Sequence, residues 1–173
     1  MDFRIRPATS EDIEDLAKLL SVLYAIEKDF TPDRRKQLKG LTMMLGASEE
    51  RIVLVAERQS AIIGMVTGQI TISTAEGGLS AIIEDLVVQA PFRGKGVGKK
   101  LLLAVENWAR SMGVVRVTLL ADKDNLPAAD FYDKAGWGKT NMICRKKESF
   151  HSEAEESRMH HQSQGRAKRA HNA

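Results

Sequence analysis

The sequence predicts a mixed α/β domain, and three observations carry that prediction. β-branched runs of strand length stand beside segments whose apolar residues recur at helical spacing. The elements follow the order β-α-α-β-β-β-α-β-α-β, in which a late strand, turn, helix and strand suit a right-handed crossover. A glycine-rich turn, Arg93-Gly94-Lys95-Gly96-Val97-Gly98, joins the last strand of an antiparallel run to an amphipathic helix.

Taken in order, Phe3-Arg4-Ile5-Arg6 alternates apolar and charged residues as a half-buried strand does, and Pro7 interrupts it. Thr9-x-x-Asp12 offers a capping-box start, after which Ile13, Leu16, Ala17, Leu20, Leu23 and Tyr24 recur at helical spacing. Residues Glu27 to Pro32 break the pattern. Asp33 to Leu45 resumes it, with Leu38, Leu41, Met44 and Leu45 on one stripe before Gly46.

Ile52 to Ala56 and Ile62 to Ile70 read as strands joined by the polar link Glu57-Arg58-Gln59-Ser60, and a third run, Leu79 to Val88, follows the Glu76-Gly77-Gly78 turn. After the glycine-rich turn, Leu101, Leu102, Val105, Trp108, Ala109 and Met112 form an apolar stripe that stops at Gly113. Val114 to Ala121 reads as a buried strand. Asn125 and Pro127 mark a helix start, Phe131 and Ala135 share one of its faces, and Gly136 ends it. A final strand is expected from Met142 to Lys146. From about Lys147 the apolar periodicity stops, which predicts a domain over 1–147 and a polar tail over 148–173, partly helical from Glu153 to Met159.

A chain of 173 residues with 43% hydrophobic content suits one globular domain. No stretch approaches the roughly 18 apolar residues of a membrane span, and Met1-Asp2-Phe3-Arg4 lacks the order of a signal peptide, so a cytoplasmic protein with no membrane partner is expected. The one cysteine, Cys144, excludes an intrachain disulfide and any multi-cysteine zinc arrangement. It lies in a strand-like segment and reads as a small buried packing residue. All four histidines, His151, His160, His161 and His171, fall in the tail, which leaves the core without an imidazole for a triad or a metal site. The net charge of +3 comes from interspersed signs and does not call for nucleic acid.

The turn from Arg93 to Gly98 is the strongest chemical signal. A helix N-terminus carries unpaired amides and the positive end of the helix dipole, glycines let the backbone approach a ligand, and Arg93, Lys95, Lys99 and Lys100 add positive charge. By spacing alone the glycines serve equally to let a helix pack close to a strand. A Walker loop needs a hydroxyl after the lysine, but Lys99 precedes Lys100. A dinucleotide fingerprint needs a different last spacing than Gly94-x-Gly96-x-Gly98.

Arg93-x-x-Gly96-x-Gly98 after Ile83-Glu84-Asp85-Leu86-Val87-Val88, then Asn125-x-x-Ala128-x-x-Phe131-Tyr132, then Lys134-x-Gly136-Trp137, together resemble the GNAT superfamily of N-acetyltransferases over about residues 3 to 146. The resemblance implies the acyl-CoA N-acyltransferase fold, acetyl-CoA as cosubstrate, no metal, and an amine acceptor attacking the thioester directly. It implies that the backbone of Leu86, Val87 and Val88 holds the pantetheine arm. It likewise implies that the amides of Arg93, Gly94, Lys95, Gly96, Val97, Gly98 and Lys99 hold the pyrophosphate. Asn125 corresponds to a residue near the pantetheine, although it reads as well as a helix cap. Tyr132 corresponds to the hydroxyl near the sulfur, although a buried ring beside Phe131 has the same pattern.

Glu84 is the candidate base for the amine's proton, since burial in an apolar strand would raise its pKa; an outward-facing or ion-paired residue is the alternative. Alternation sends Asp85 to the opposite face unless the strand is bulged. Ordinary pKa values make full proton transfer from Tyr132 to a thiolate uphill by about 2 kcal/mol, which favours a hydrogen bond instead. The Ile83-Glu84-Asp85 run resembles the strand of acetyltransferases that act on small amines, and Glu27, Asp29 and Asp33 offer negative charge to a cationic acceptor. A non-catalytic acyl-CoA-binding module and an acetyltransferase for protein lysines or N-termini are the alternatives, and a homodimer is compatible with all three.

Overall fold

A computed structural model describes residues 1–27 and 29–147. The tail expected over 148–173, with its histidines and helical stretch, lies outside the described residues. The chain divides after Lys139 into two units. Of the second, residues 140–147 form neither helix nor strand, so the final strand expected from Met142 to Lys146 is not formed. An apolar run becomes a strand only where a neighbour takes up its backbone hydrogen bonds. Met142 and Ile143 instead stand 85% and 71% exposed, and Cys144, expected to be buried, is exposed with them.

The unit Met1–Lys139 contains strands β1 (Arg4–Pro7), β2 (Arg51–Arg58), β3 (Ala61–Ser73), β4 (Gly78–Val88) and β5 (Arg116–Leu119). Its α-helices are α1 (Ile13–Tyr24), α2 (Arg34–Met44), α3 (Val97–Ser111) and α4 (Leu126–Lys134). The strands form one sheet in chain order. Neighbours are antiparallel except β4 and β5, which run parallel because α3 carries the chain back between them. None of the described helices is long and apolar enough to cross a membrane.

Helix starts follow the capping residues visible in the sequence. The Asp12 carboxylate accepts from the Thr9 amide at 2.8 Å ahead of α1, and Asp33 accepts from the amides of Arg35 and Lys36 ahead of α2. Arg6 reaches Asp12 with two nitrogens at 2.7 and 2.8 Å and also pairs with Glu57, tying β1 to α1 and β2.

Each face of the sheet carries its own apolar layer. On one face Leu16, Leu19 and Leu20 of α1 and Leu41 of α2 pack against Val53, Val55, Met65 and Val87. On the other, Val97, Leu101, Leu102 and Val105 of α3 pack against Leu54, Ile63, Val66 and Ile83, with Phe131 and Tyr132 of α4 at the margin. Gly64 permits this second layer. A Cβ there would lie 2.9 Å from the Val87 carbonyl oxygen and 3.2 Å from Leu101, so glycine lets α3 lie close against β3 beside the end of β4.

Two irregularities set the geometry of the C-terminal half of β4. Its pairing with β5 ends at Ile83 opposite Leu119, although β4 continues to Val88, so beyond Ile83 one edge of β4 has no strand beside it among the described residues. At the same point the register with β3 passes from Gly68 opposite Ile83 to Val66 opposite Leu86. Glu84 and Asp85 together therefore oppose Thr67, which is a β-bulge.

Candidate active site

The glycine turn is built as the sequence suggests. Gly96 caps α3 with φ +81° and Gly94 has φ +69°, both in the left-handed region that favours glycine. No described atom lies within 4 Å of where a Cβ would stand on either. The glycine Cα atoms ahead of the 15-residue α3 thus have open space beside them, with the exposed side chains of Arg93, Lys95 and Lys99 nearby in the chain. Val97 turns inward as the first buried residue of the helix. Gly98 lies against Phe131, since a Cβ on it would meet that ring at 3.4 Å. Arg93 also reaches back, donating from Nε to the Val88 carbonyl at 2.9 Å.

Leu86, Val87 and Val88 form the open stretch of β4. Val87 belongs to the α1 layer, while Leu86 and Val88 face the α3 layer, so their backbone is presented at the edge between the two. The turn, with uncovered glycines at 94 and 96, and this strand edge fit an extended ligand that carries phosphates at one end and amides along its arm. Coenzyme A has that chemistry.

Asn125 is the N-cap of α4, its Oδ1 accepting from the Ala128 amide at 3.2 Å. Capping occupies that oxygen. Tyr132 lies between Phe131 at 5.2 Å and Trp137 at 6.3 Å, and its hydroxyl has no hydrogen-bond partner among the described residues. Burial pushes its pKa up to about 12, with the charge of Glu27 adding to the rise. The hydroxyl is therefore protonated at neutral pH and able to donate.

The carboxylates depart from the sequence expectation. Glu84 is exposed and accepts from Gln69 Nε2 at 3.0 Å, so the desolvation expected of it does not occur. The buried carboxylate is Asp85, 9% exposed. The bulge explains both. By inserting one residue it breaks the alternation that would have separated the two side chains, and both lie toward the α1 face.

Asp85 Oδ1 accepts from the Tyr24 hydroxyl at 3.1 Å and Oδ2 from Thr67 Oγ1 at 3.0 Å, while Thr67 Oγ1 accepts from the Asp85 amide at 3.0 Å. Burial holds the pKa of Asp85 above the usual carboxylate range, and the charge of Glu84 adds to this against the opposing hydrogen bonds. The same surroundings raise the pKa of Tyr24, by burial first and then by the charge of Asp85. Glu27 is raised as well, by burial and then by Asp85, Asp122 and Asp29.

Tyr24, at the end of α1, also packs against the Phe30 ring at 5.3 Å. Of the acidic residues expected there, Glu27 is near Asp85, whereas Asp33 serves as the cap of α2. Sequence reasoning read Tyr24 as part of the α1 stripe at the head of a segment to Pro32 expected to set acceptor specificity, missed Thr67 and set Asp85 aside. The available signal was two adjacent acids in an apolar strand, since one must then be exposed or the strand bulged.

The profile of the acetyltransferase (GNAT) family matches residues 14–137. YycN, an uncharacterized N-acetyltransferase of Bacillus subtilis, is 36% identical over 67 residues, 39% of this chain and 43% of YycN. The aminoglycoside N(6′)-acetyltransferase type 1 of Stenotrophomonas maltophilia is 25% identical over 142 residues, 80% of this chain and 88% of that protein. Among solved structures, aminoglycoside N-acetyltransferase AAC(6′)-Iy in complex with CoA superposes with a TM-score of 0.74 at 18% identity, covering 85% of this chain and 95% of that one. The chain spans 43%, 40% and 63% of the lengths of its relatives YycN, YobR of Bacillus subtilis and MJ1207 of Methanocaldococcus jannaschii. With that profile covering β2 to β5, the glycine turn and α4, this chain belongs to the acetyltransferase (GNAT) family.

Proposed function

We propose that this protein transfers an acetyl group from acetyl-CoA to a primary amine of a small molecule. The observation that carries the reading is that β4 parts from β5 at the bulge that bears the two carboxylates. One strand thereby offers a free backbone edge for a thioester's arm and negative charge for an incoming ammonium. Similarity to aminoglycoside acetyltransferases, by sequence and by fold, supports a small polar amine as acceptor.

The amides from Arg93 to Lys99 hold the pyrophosphate, and the backbone of Leu86, Val87 and Val88 holds the pantetheine. Asn125 steadies the start of α4 beside that arm. Acetyl-CoA supplies the activated acetyl group, as a thioester whose sulfur leaves as a thiolate. An amine arrives mostly protonated near neutral pH, and the negative potential of Glu84, Asp85 and Glu27 favours its approach. The neutral fraction of the amine attacks, and Glu84, the solvent-facing member of the bulge, takes the proton that the nitrogen carries once the C–N bond has formed and passes it to water. Tyr132 donates a hydrogen bond to the leaving sulfur. Its pKa of about 12, against about 8.5 for a thiol, makes full transfer of the proton uphill by about 5 kcal/mol. The proton stays on the phenol.

The test is thiol release from acetyl-CoA across polyamines, amino sugars, aminoglycosides, amino acids and peptide N-termini, with the product identified by mass. Turnover of one or more small amines is the expected result. Activity confined to peptides contradicts the small-molecule acceptor. Coenzyme binding without thiol release from any amine contradicts catalysis and leaves a binding module.

A further inference from the structure

The connector between β4 and the glycine turn is held by a side chain that the proposed chemistry does not use. β3 begins at Ala61, and its pairing with β4 stops where β4 ends, at Gly64 opposite Val88. Ile62 and Ile63 therefore extend beyond the last β4 residue. Gln89 takes up both of their carbonyls. Its amide donates to the Ile63 oxygen at 3.0 Å, and its side-chain Nε2 donates to the Ile62 oxygen at 2.8 Å. Its own carbonyl accepts from the Phe92 amide at 2.9 Å, closing the short turn Ala90–Phe92 that leads to Arg93. From the far side Arg93 bonds back to Val88.

Gln89 thus acts as one more residue of β4 through its backbone and as a stay through its side chain. Of the residues it steadies, Phe92 packs against the margin of the α3 layer, whereas Ala90, Pro91, Arg93 and Gly94 are exposed and belong to neither layer. What their position decides is the distance between the free edge of β4 and the amides of the glycine turn.

We infer that Gln89 is a positioning residue that fixes this distance, so that one coenzyme molecule engages both halves of its site at once. The inference rests on the coenzyme reading of the turn. A ligand bound at two linked half-sites gains affinity only when their spacing matches its own length, because the second contact then forms at high effective concentration. Freeing the Gln89 side chain lets the connector pivot about Val88. Each half-site keeps its own shape, but the two are no longer held in register.

The test is calorimetric titration of the wild-type chain and of Gln89→Ala and Gln89→Met, the second of which keeps side-chain bulk while losing the donor. Two ligands are compared: intact coenzyme A, and its phosphoadenosine diphosphate half, which reaches only the glycine turn. The expected result is a Kd for coenzyme A raised about tenfold in both variants, with the Kd of the half-molecule changed less than about twofold. Weakening of both ligands by the same factor, or of neither, overturns the assignment. Wild-type protein that fails to bind coenzyme A overturns the coenzyme reading itself and this inference with it. Wild-type binding that both variants match removes only Gln89.

Discussion

The Tyr24 hydroxyl donates to Asp85 Oδ1 at 3.1 Å, tying the last residue of α1 to the bulge of β4. The bond joins the last turn of α1 to the strand whose free edge begins at the bulge. It also fixes the surroundings of a carboxylate whose burial is energetically unfavourable.

Because Asp85 has a raised pKa in the folded state, folding binds its proton more tightly than the unfolded chain does. Its contribution to stability is present below the ordinary carboxylate pKa and is lost as pH rises through the raised value. Asp85→Asn keeps an acceptor for Tyr24 and removes the buried charge. Thermal melts should show the variant more stable than wild type at pH 7, with the difference shrinking in acid. A variant less stable at pH 7 would mean that the charge itself is stabilising.

Asp12 behaves with the opposite sign. Hydrogen bonds from the Arg6 guanidinium lower its pKa to about 2 from 3.8, so its contribution is present above the unfolded value and is lost as pH falls through about 2. Solvent reaches the pair, and screening reduces its worth to about 1 kcal/mol. Denaturant titrations should show Asp12→Asn less stable than wild type by that amount at pH 7. The two proteins should converge near pH 2.

Tyr132 is given a donor's role, not that of a full proton source. Tyr132→Phe should lower kcat about tenfold or more while leaving measurable turnover and little change in the KM for acetyl-CoA. An unchanged kcat at saturating substrates would remove the hydroxyl from the reaction.

Much of the fold was legible because its signals are local. Helical spacing in α1 and α3 follows from which side chains must face the sheet, and Thr9, Asp33, Asn125 and Gly96 mark helix starts by side-chain or backbone chemistry that acts within a few residues. What depends on pairing between distant segments was not legible. Strict alternation separates Glu84 from Asp85, and only the register against Thr67 places them on one side. The strand pattern of Met142 to Lys146 gave an expectation that no strand among the described residues fulfils. Gln89 carries no motif at all, since its function comes from β3 being longer than the end of β4.

The coenzyme site proposed at the glycine turn is tested most directly by titrating coenzyme A into Gly96→Val. Gly96 has φ +81° and open space where a Cβ would stand, so the substitution brings backbone strain of about 1–2 kcal/mol at the turn without a clash in the core. The expected result is a folded protein, with an unchanged far-ultraviolet spectrum, whose Kd for coenzyme A rises at least about tenfold. A folded Gly96→Val that binds coenzyme A as tightly as wild type would place the pyrophosphate elsewhere and contradict the reading.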